Sequence, residues 1–252
     1  MIIKEKKYTN NDLIFNTTHL EDCQNNFIVL DDNSEKIIDD YKQIFNKIIE
    51  YGYNLTVLDS KQIMSKIICY LEKHNLCDCF DSVILAGTGG KQMYEGIKNT
   101  KIFKDKEIIS LTWHRVWDGE KSLGFETNIN EYNFSNKKVI ILEDVIASGN
   151  TLWTLKNTLE SYGAQVIFVI SALIQESSPI IYKSFCNIYS GVMIKKTQDE
   201  TLNPFWYPPI YSLRHLLQGD DEMEHFYQIL NEKYFNNEGE VEQLIKKYRR
   251  EL

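Results

Sequence analysis

The sequence predicts an α/β fold in which a parallel, Rossmann-like β-sheet is flanked by helices. Four short runs of apolar and β-branched residues have the composition of buried strands, at 82–87, 107–113, 137–144 and 165–173. A helical pattern follows the first and third runs, and this alternation is typical of parallel sheets covered on both faces. The composition agrees, because 43% hydrophobic and 25% charged residues among 252 are average for a folded protein and exclude disordered, collagen-like and coiled-coil chains.

The regions on either side of these strands have a different pattern. Apolar side chains recur at helical spacing over 34–51 and 60–75, which predicts a mainly helical N-terminal extension over residues 1–80. The core of the fold is expected at 81–195. A final segment, 196–252, loses strand character and is expected to combine an aromatic hood with C-terminal helices.

The helix after the third strand is defined by its apolar face and its end. Leu152, Leu155 and Leu159 are spaced to lie on one face of that helix. Gly163 stands just beyond its last turn, where a left-handed backbone conformation is common.

Net charge and cysteine content limit the cellular compartments and the classes of binding partner that fit this chain. A net charge of −8, from 28 Lys and Arg against 36 Asp and Glu, argues against a broad electrostatic hold on a nucleic-acid backbone. Five unevenly spaced cysteines in a chain of this length fit a reducing compartment better than a disulfide framework. No apolar run has the length of a signal peptide or of a membrane span, so we expect a cytoplasmic protein without membrane or nucleic-acid partners.

The segment HNLCDC is the one place that suggests a metal site. It offers three candidate ligands, His74, Cys77 and Cys79, whereas structural zinc sites use four. The sequence therefore favours a loop at the end of a helix with buried thiols.

The segment most informative about function is the third strand with the turn that follows it, residues 137–155. The apolar run ends in two adjacent carboxylates, Glu143 and Asp144, and a turn of small residues from Ala147 to Thr151 then opens a helix. The first turn of a helix presents unpaired N–H groups to an anion, and Gly149 permits backbone conformations that other residues resist. Ligands of open α/β sheets bind at the carboxyl ends of strands. The pattern indicates a sugar phosphate site, and the alternative is an ordinary capped helix after an acidic strand end.

The run VIILEDVIASGNT resembles the phosphoribosyl pyrophosphate (PRPP) signature of type I phosphoribosyltransferases. That signature has four apolar residues, two acids, and a small-Ser/Thr-Gly-x-Thr loop; Ser148 stands here where Thr is more usual. The resemblance implies that Glu143 and Asp144 contact the ribose hydroxyls and hold Mg²⁺, directly or through water. It also implies a set of residues around the 5′-phosphate of PRPP: Ala147, Ser148, Gly149, Asn150 and Thr151.

A second glycine-rich segment follows the first strand. In the resembling family a short loop at this place grips the pyrophosphate of PRPP, and the corresponding residues here are Thr88, Gly89, Gly90 and Lys91. Backbone N–H groups and one lysine in a tight loop suit an anion.

Two other glycine motifs were compared with this segment. A Walker A motif does not fit, because Leu85 stands where the first glycine is required and Gln92 where Ser or Thr is required. A methyltransferase-type glycine loop remains an alternative, although the next strand ends in Thr112-Trp113-His114 and not in the acid that would bind a ribose.

The segment 111–129 is expected to run from a strand into a polar loop with Gly119 and Gly124 as hinges. In the resembling family a mobile loop here closes over PRPP, and a basic residue near its start reaches the pyrophosphate. Arg115 is the candidate for that role, and Lys121 is a weaker catalytic candidate, because lysines in loops usually face solvent.

The aromatic stretch NPFWYPP lies in the C-terminal segment. The resemblance implies a variable hood that supplies the acceptor pocket, with Phe205, Trp206 and Tyr207 as candidates for stacking on a flat base. The alternatives are an aromatic loop that seals the sheet edge and a dimer contact. Two polar helices are expected beyond it, at about 221–235 and 240–251.

The function that the resemblance implies is a Mg²⁺-dependent transfer of the 5-phosphoribosyl group from PRPP to a nitrogenous acceptor, with release of pyrophosphate by a homodimeric enzyme. The alternatives are a non-catalytic sensor of PRPP or nucleotides on the same fold and, less favoured, an S-adenosylmethionine-dependent methyltransferase. The resemblance covers roughly residues 80–175, so the identity of the acceptor lies outside it.

Overall fold

The computed structural model describes the central part of the chain and short segments on either side of it. The described residues are 18–20, 26–31, 54–118, 121–146, 149–175, 187–194 and 210–212.

Eleven strands and three helices are described. The strands are β1 (Thr18–Leu20), β2 (Asn26–Asp31), β3 (Asn54–Asp59), β4 (Ser82–Ala86), β5 (Glu107–Leu111), β6 (Trp113–Asp118), β7 (Lys121–Thr127), β8 (Lys138–Ile146), β9 (Gln165–Gln175), β10 (Asn187–Ile194) and β11 (Ile210–Ser212). The helices are α1 (Ser60–Lys73), α2 (Gly87–Ile97) and α3 (Asn150–Ser161). None of these helices has the length and apolar character needed to cross a membrane.

A six-stranded parallel sheet forms the core, in the order β1-β10-β9-β8-β4-β5. This confirms the predicted α/β fold, and the four predicted strands correspond to β4, β5, β8 and β9. Their apolar runs are continuous because both faces of the sheet are covered, and the four residues from Val139 to Leu142 are fully buried.

The helices are distributed over the two faces of this sheet. Leu152, Leu155 and Leu159 of α3 belong to one buried cluster with Val139 and Ile141 of β8. Neighbouring residues of a strand face opposite sides of the sheet. The opposite face of β8 is therefore the one against which α2 packs, and α1 covers the same face farther along, where Ile63 lies against Gly191.

The chain reverses direction across the sheet between β4 and β8. It leaves β4 through α2 and pairs β5 on one side of β4, then returns to place β8 on the other side. In doubly wound sheets this switch point opens a crevice beyond the carboxyl ends of the two central strands, and ligands bind there. Both segments that the sequence marks as anion sites begin at this crevice, since α2 follows β4 and α3 follows β8.

The N-terminal region is not as helical as predicted where it is described. β1 extends the large sheet by pairing with β10, and β2 lies between β3 and β11 in a separate three-stranded parallel sheet. Each of these pairings except that of β2 with β3 joins strands more than 170 residues apart, so local patterning carried no sign of them. The predicted helices at 34–51, 221–235 and 240–251 lie outside the described residues.

The compact units also differ from the predicted boundaries. One unit comprises 1–21 and 61–196, and the other comprises 22–60 and 197–252. Helix α1, predicted within the N-terminal extension, belongs with the large sheet because its apolar face, including Ile63 and Ile67, is buried.

Two glycines, Gly163 and Gly191, have identifiable roles at a helix end and in the packing of a strand. Gly163 has a φ of +89° after α3 and donates its N–H to Glu160 O at 3.0 Å, which confirms the predicted helix end. Strand β10 was missed by the sequence analysis because Ser190 and Gly191 interrupt its apolar run, and Gly191 is required there by the close approach of Ile63.

Candidate functional site

The glycine-rich segment after β4 is a helix and not the predicted loop. Helix α2 begins at Gly87, whose φ of +56° turns the chain sharply out of the strand. Thr88 and Lys91 are exposed in its first turn, whereas Gly89 and Gly90 are buried. The N–H groups of this turn lack partners within the helix, so the segment keeps the anion-binding capacity that was predicted for a loop.

Gly89 and Gly90 allow α2 to pack directly against the end of β8. A Cβ atom on Gly89 would lie 2.5 Å from Cγ of Asp144, and one on Gly90 would collide with the backbone carbonyl oxygen of Leu142. Both approaches are closer than Cβ contacts in real proteins. A larger residue at position 89 would displace the carboxylate of Asp144, and one at position 90 would have to displace backbone atoms. The helix forms despite the low helix propensity of glycine, because close packing on the sheet offsets that cost. The start of α2 is thereby brought into contact with the acidic end of β8.

The two carboxylates at the end of β8 occupy different environments. Asp144 is 5% exposed and faces the first turn of α2, while Glu143 is half-buried. Adjacent strand residues face opposite sides of the sheet, so Glu143 lies on the face that α3 covers. The backbone N–H of Val145 donates to Asp144 Oδ1 at 2.7 Å, and the N–H of Asp144 donates to Glu143 Oε1 at 3.2 Å. The acidic pair is therefore held in place by its own backbone.

The turn before α3 has the conformation that the sequence predicts at Gly149. This residue is buried, has a φ of +74° and directly precedes the helix that starts at Asn150. Thr151 is half-buried in the first turn of that helix. The positive φ confirms the expected backbone geometry, while Ala147 and Ser148 lie outside the described residues.

The segment predicted as a polar loop is a β-hairpin. Strands β6 and β7 pair antiparallel from Trp113 opposite Thr127 to Asp118 opposite Lys121, with a register shift after Val116. Gly124 has a φ of +128° opposite that irregularity. Two residues of which the first is glycine, Gly119-Glu120, separate two alternating runs in the sequence, and this spacing is a hairpin signal that the interpretation as a polar loop passed over.

The hairpin fixes the backbone positions of the basic candidates. Arg115 pairs with Phe125 and Lys121 pairs with Asp118, so both stand on strands of the hairpin. Their side chains, and that of His114, lie outside the described residues, as do Phe205, Trp206 and Tyr207 of the predicted hood.

The base of the hairpin is anchored by residues that the sequence analysis missed. The backbone N–H of Thr112 donates to Oδ1 of Asn128 at 2.8 Å, which ties together the two ends of the hairpin. Trp113 is 7% exposed and stacks on Phe125, with ring centroids 4.9 Å apart and ring planes inclined by 14°. An asparagine that follows an amphipathic strand has no distinctive sequence signal, so this anchor is visible only in the structure.

We expect the variant Asn128→Ala to loosen the hairpin base. It removes the acceptor of the half-buried Thr112 N–H, which should lower the free energy of unfolding by about 1–2 kcal/mol. Urea denaturation measures this change. Asn128 Nδ2 also donates to Glu131 Oε2 at 3.2 Å, and Glu131→Ala removes that bond alone and serves as the control; equal destabilisation by Asn128→Ala and Glu131→Ala would contradict the role given to the bond with Thr112.

The cysteines of HNLCDC behave as protonated, partly buried thiols. Burial is the main cause that raises the pKa of both Cys77 and Cys79. The thiol of Cys79 donates to the carbonyl oxygen of Leu76 at 2.9 Å. Within the described part of the chain no group of three or more His, Cys, Asp or Glu side chains is placed to hold a metal ion.

Comparisons with known proteins were made on sequence and on structure. No family model matches the sequence, and no curated protein matches it. The chain is similar in structure to type I phosphoribosyltransferases. It matches a purine phosphoribosyltransferase from Pyrococcus horikoshii with 16% identity over 53% of this chain and 87% of that one, at a TM-score of 0.42.

Two further solved structures match this chain with similar sequence identities, coverages and TM-scores. A hypoxanthine phosphoribosyltransferase from Staphylococcus aureus has 16% identity over 55% of this chain and 75% of that one, at a TM-score of 0.40. A hypothetical protein from Neisseria gonorrhoeae with bound ppGpp has 14% identity over 67% of this chain and 90% of that one, at a TM-score of 0.43.

The structure brings together part of the site that the phosphoribosyltransferase resemblance implies. The start of α2, with Gly89 and Gly90, meets Asp144, and the start of α3 follows the same strand. These contacts are observed in the structure of this chain and do not depend on the comparisons with other proteins.

Proposed function

We propose that this protein transfers the 5-phosphoribosyl group of PRPP to a nitrogenous acceptor and releases pyrophosphate. The observation that carries the proposal is the pair of helix starts, α2 and α3, on either side of an acidic strand end at the switch point of the sheet. PRPP has the matching chemistry, with one phosphate at C5, a pyrophosphate at C1 and ribose hydroxyls between them. Helix N-termini bind phosphate groups through free N–H groups and the helix dipole.

The proposed orientation of the ligand follows from the two helix starts. The 5′-phosphate binds the turn from Ala147 to Thr151, whose glycine already has the left-handed conformation. The pyrophosphate binds the first turn of α2, where Thr88 and Lys91 are exposed. The ribose then lies over the end of β8, within reach of Glu143 and Asp144.

The chemistry depends on charge development at C1 of the ribose. The C1–O bond to pyrophosphate breaks as the C1–N bond to the acceptor forms, so the sugar ring gains positive charge and the leaving group gains negative charge. The carboxylates of Glu143 and Asp144 stabilise the positive ring, and the N–H groups of α2 with Lys91 stabilise the departing pyrophosphate. Catalysis by these groups is positioning and electrostatic complementarity.

Mg²⁺ fits this donor set as a partner of the substrate. It prefers phosphate oxygens and water, with only one or two protein carboxylates, and Glu143 and Asp144 are the carboxylates at this strand end. When bound, the ion neutralises the charge that develops on the pyrophosphate.

The hairpin is proposed to cover the reacting centre. It follows β5, next to the strand that leads into α2, and it carries Arg115 and Lys121 on its two strands. A covering element that excludes water prevents the hydrolysis of PRPP, and its basic residues add positive charge near the pyrophosphate.

The direct test is pyrophosphate release from PRPP and Mg²⁺ with a panel of purine and pyrimidine bases. We expect release that depends on one acceptor class and that stops when Mg²⁺ is chelated. The double variant E143Q/D144N provides the inactive control. PRPP binding without turnover on any base would instead indicate a sensor, and the absence of PRPP binding would refute the proposed site.

A further inference from the structure

Three buried side-chain atoms have no hydrogen-bond partner among the described residues: Gln92 Oε1, Ser110 Oγ and Trp113 Nε1. The indole Nε1–H of Trp113 is enclosed, since the residue is 7% exposed, and no described hydrogen-bond acceptor satisfies it. Buried polar groups in folded proteins are almost always paired, because an unmade hydrogen bond retains the full cost of desolvation. The partner of this donor is therefore one that the described residues do not supply.

Trp113 stands where the segments of the proposed site converge. Its backbone carbonyl oxygen lies 3.3 Å from the position that a Cβ atom would take on Gly87, the first residue of α2. Its side chain belongs to the same buried cluster as Ala86 at the end of β4, Ile146 at the end of β8 and Leu152 in α3. Trp113 thus lies close to the start of α2 through its backbone and shares its buried cluster with residues at the ends of β4 and β8.

The indole is also held in a defined orientation. It stacks on Phe125 of the opposite hairpin strand, with the ring centroids 4.9 Å apart. A hydrogen-bond donor on a stacked and buried ring is pre-organised, so little conformational freedom is lost when a ligand oxygen arrives.

We propose that the Nε1–H of Trp113 donates a hydrogen bond to a phosphate oxygen of the bound ligand, which makes Trp113 a substrate-binding residue. The inference rests on the proposed function, because PRPP is the ligand that brings phosphate oxygens to this crevice. Indole is a donor only, so its partner must be an acceptor, and a charged oxygen is the strongest one. The start of α2, which the backbone carbonyl of Trp113 approaches, attracts anions for an independent reason.

The test follows the indole N–H signals in ¹H–¹⁵N NMR spectra of the full chain. Trp113→Phe keeps an aromatic ring to stack on Phe125 and removes only the donor, so the signal that it deletes belongs to Trp113. PRPP, pyrophosphate and ribose 5-phosphate are added separately, each with Mg²⁺. We expect PRPP and one of the two fragments to shift the Trp113 signal, and the responsive fragment identifies which phosphate group is contacted.

Affinity supplies the second measurement. Loss of one hydrogen bond to a charged oxygen should weaken PRPP binding by about tenfold in Trp113→Phe. Trp153→Phe is the matched control, because Trp153 packs partly buried against the same cluster and has no role in the proposal. It should bind PRPP as the unmodified protein does.

The outcomes separate this inference from the proposed function. If the unmodified protein binds PRPP but the Trp113 signal stays in place and Trp113→Phe binds equally well, the inference is wrong and the function stands. If the unmodified protein binds neither PRPP nor pyrophosphate, both are overturned. If Trp113→Phe fails to fold, the response of the Trp113 signal in the unmodified protein, assigned through the other single Trp variants, still decides.

Discussion

Gly89→Ala is expected to inactivate the protein while the sheet remains folded. The added Cβ would lie 2.5 Å from Cγ of Asp144 and 2.6 Å from Oδ1, so the carboxylate must leave its present position. Asp144 is buried and accepts the Val145 N–H at 2.7 Å, which leaves it little room to move. Overpacking of this kind costs about 1–3 kcal/mol of stability. Displacement of the carboxylate that we propose to act on the ribose should lower the transfer rate by about a hundredfold or more.

Gly90→Ala should instead destabilise the whole fold. Its Cβ would meet the backbone of Leu142 and Leu85, and backbone atoms in the centre of a sheet cannot rotate away as a side chain can. We expect a loss above about 3 kcal/mol, at the upper end of overpacking effects. Thermal unfolding and pyrophosphate release together distinguish the two variants, because Gly89→Ala should affect the rate most and Gly90→Ala the stability most.

Gly96→Ala on the same helix is the matched control. Its Cβ would lie 4.0 Å from the nearest atoms of Lys61, an ordinary contact. Alanine has the higher helix propensity, so this variant should be neutral or stabilised by up to about 1 kcal/mol. If Gly89→Ala were to behave like Gly96→Ala in both assays, the close contact between α2 and β8 would not be needed for function.

The double variant E143Q/D144N should abolish transfer without unfolding the protein. The amides have nearly the same shape as the carboxylates, and an amide oxygen at position 144 can still accept the Val145 N–H. What is lost is the negative charge at the proposed ribose site, where the proposed reaction develops positive charge in its transition state. We expect the rate to fall by about 10³-fold or more, comparable with the removal of preorganised electrostatic groups from other active sites.

The control for this experiment is a carboxylate at the opposite end of the sheet. Glu107 begins β5 and forms a 2.5 Å ion pair with Lys137, far along the strands from the crevice. The hydrogen bond from Lys137 is the main cause that lowers the pKa of Glu107. Because this carboxylate lies far from the proposed site, Glu107→Gln should leave turnover unchanged. A wild-type rate in E143Q/D144N, with circular dichroism unchanged, would show that the acidic strand end does not bind the substrate.

The single variants separate the two acids. Asp144 is buried against α2, whereas Glu143 is half-buried on the other face of β8. They are therefore not interchangeable, although the sequence presents them as an adjacent pair. We expect Asp144→Ala to lower the free energy of unfolding more than Glu143→Ala does, because only the side chain of Asp144 packs against the glycines of α2; urea denaturation measures the difference.

Much of the fold and part of the site could be predicted from the sequence because they depend on local interactions. The apolar runs of β4, β5, β8 and β9 mark buried parallel strands, since such strands are covered on both faces. The left-handed Gly149 follows equally from the sequence, because a strand that turns directly into a helix requires a conformation that glycine adopts easily.

The prediction of a polar loop where the hairpin lies was wrong for a different reason. Its two connecting residues, Gly119-Glu120, and its alternating strands were present in the sequence, but charged residues and two glycines suggested an irregular loop. The pairing of Trp113 with Thr127 and the bond between Thr112 and Asn128 make this segment regular. A hairpin signal is local, so this error lay in the interpretation and not in a limit of the sequence.

By itself, the sequence determined that the chain forms a parallel α/β sheet and that an acidic strand end and two glycine-rich turns lie at the carboxyl ends of its strands. Only the tertiary structure decided that β4 and β8 are neighbours, that β1 closes the far edge, and that Gly89 touches Asp144. The physical reason is the range of the interactions. Strand formation and helix ends depend on residues a few positions apart, whereas strand order and helix-to-sheet distance result from packing between segments tens of residues apart.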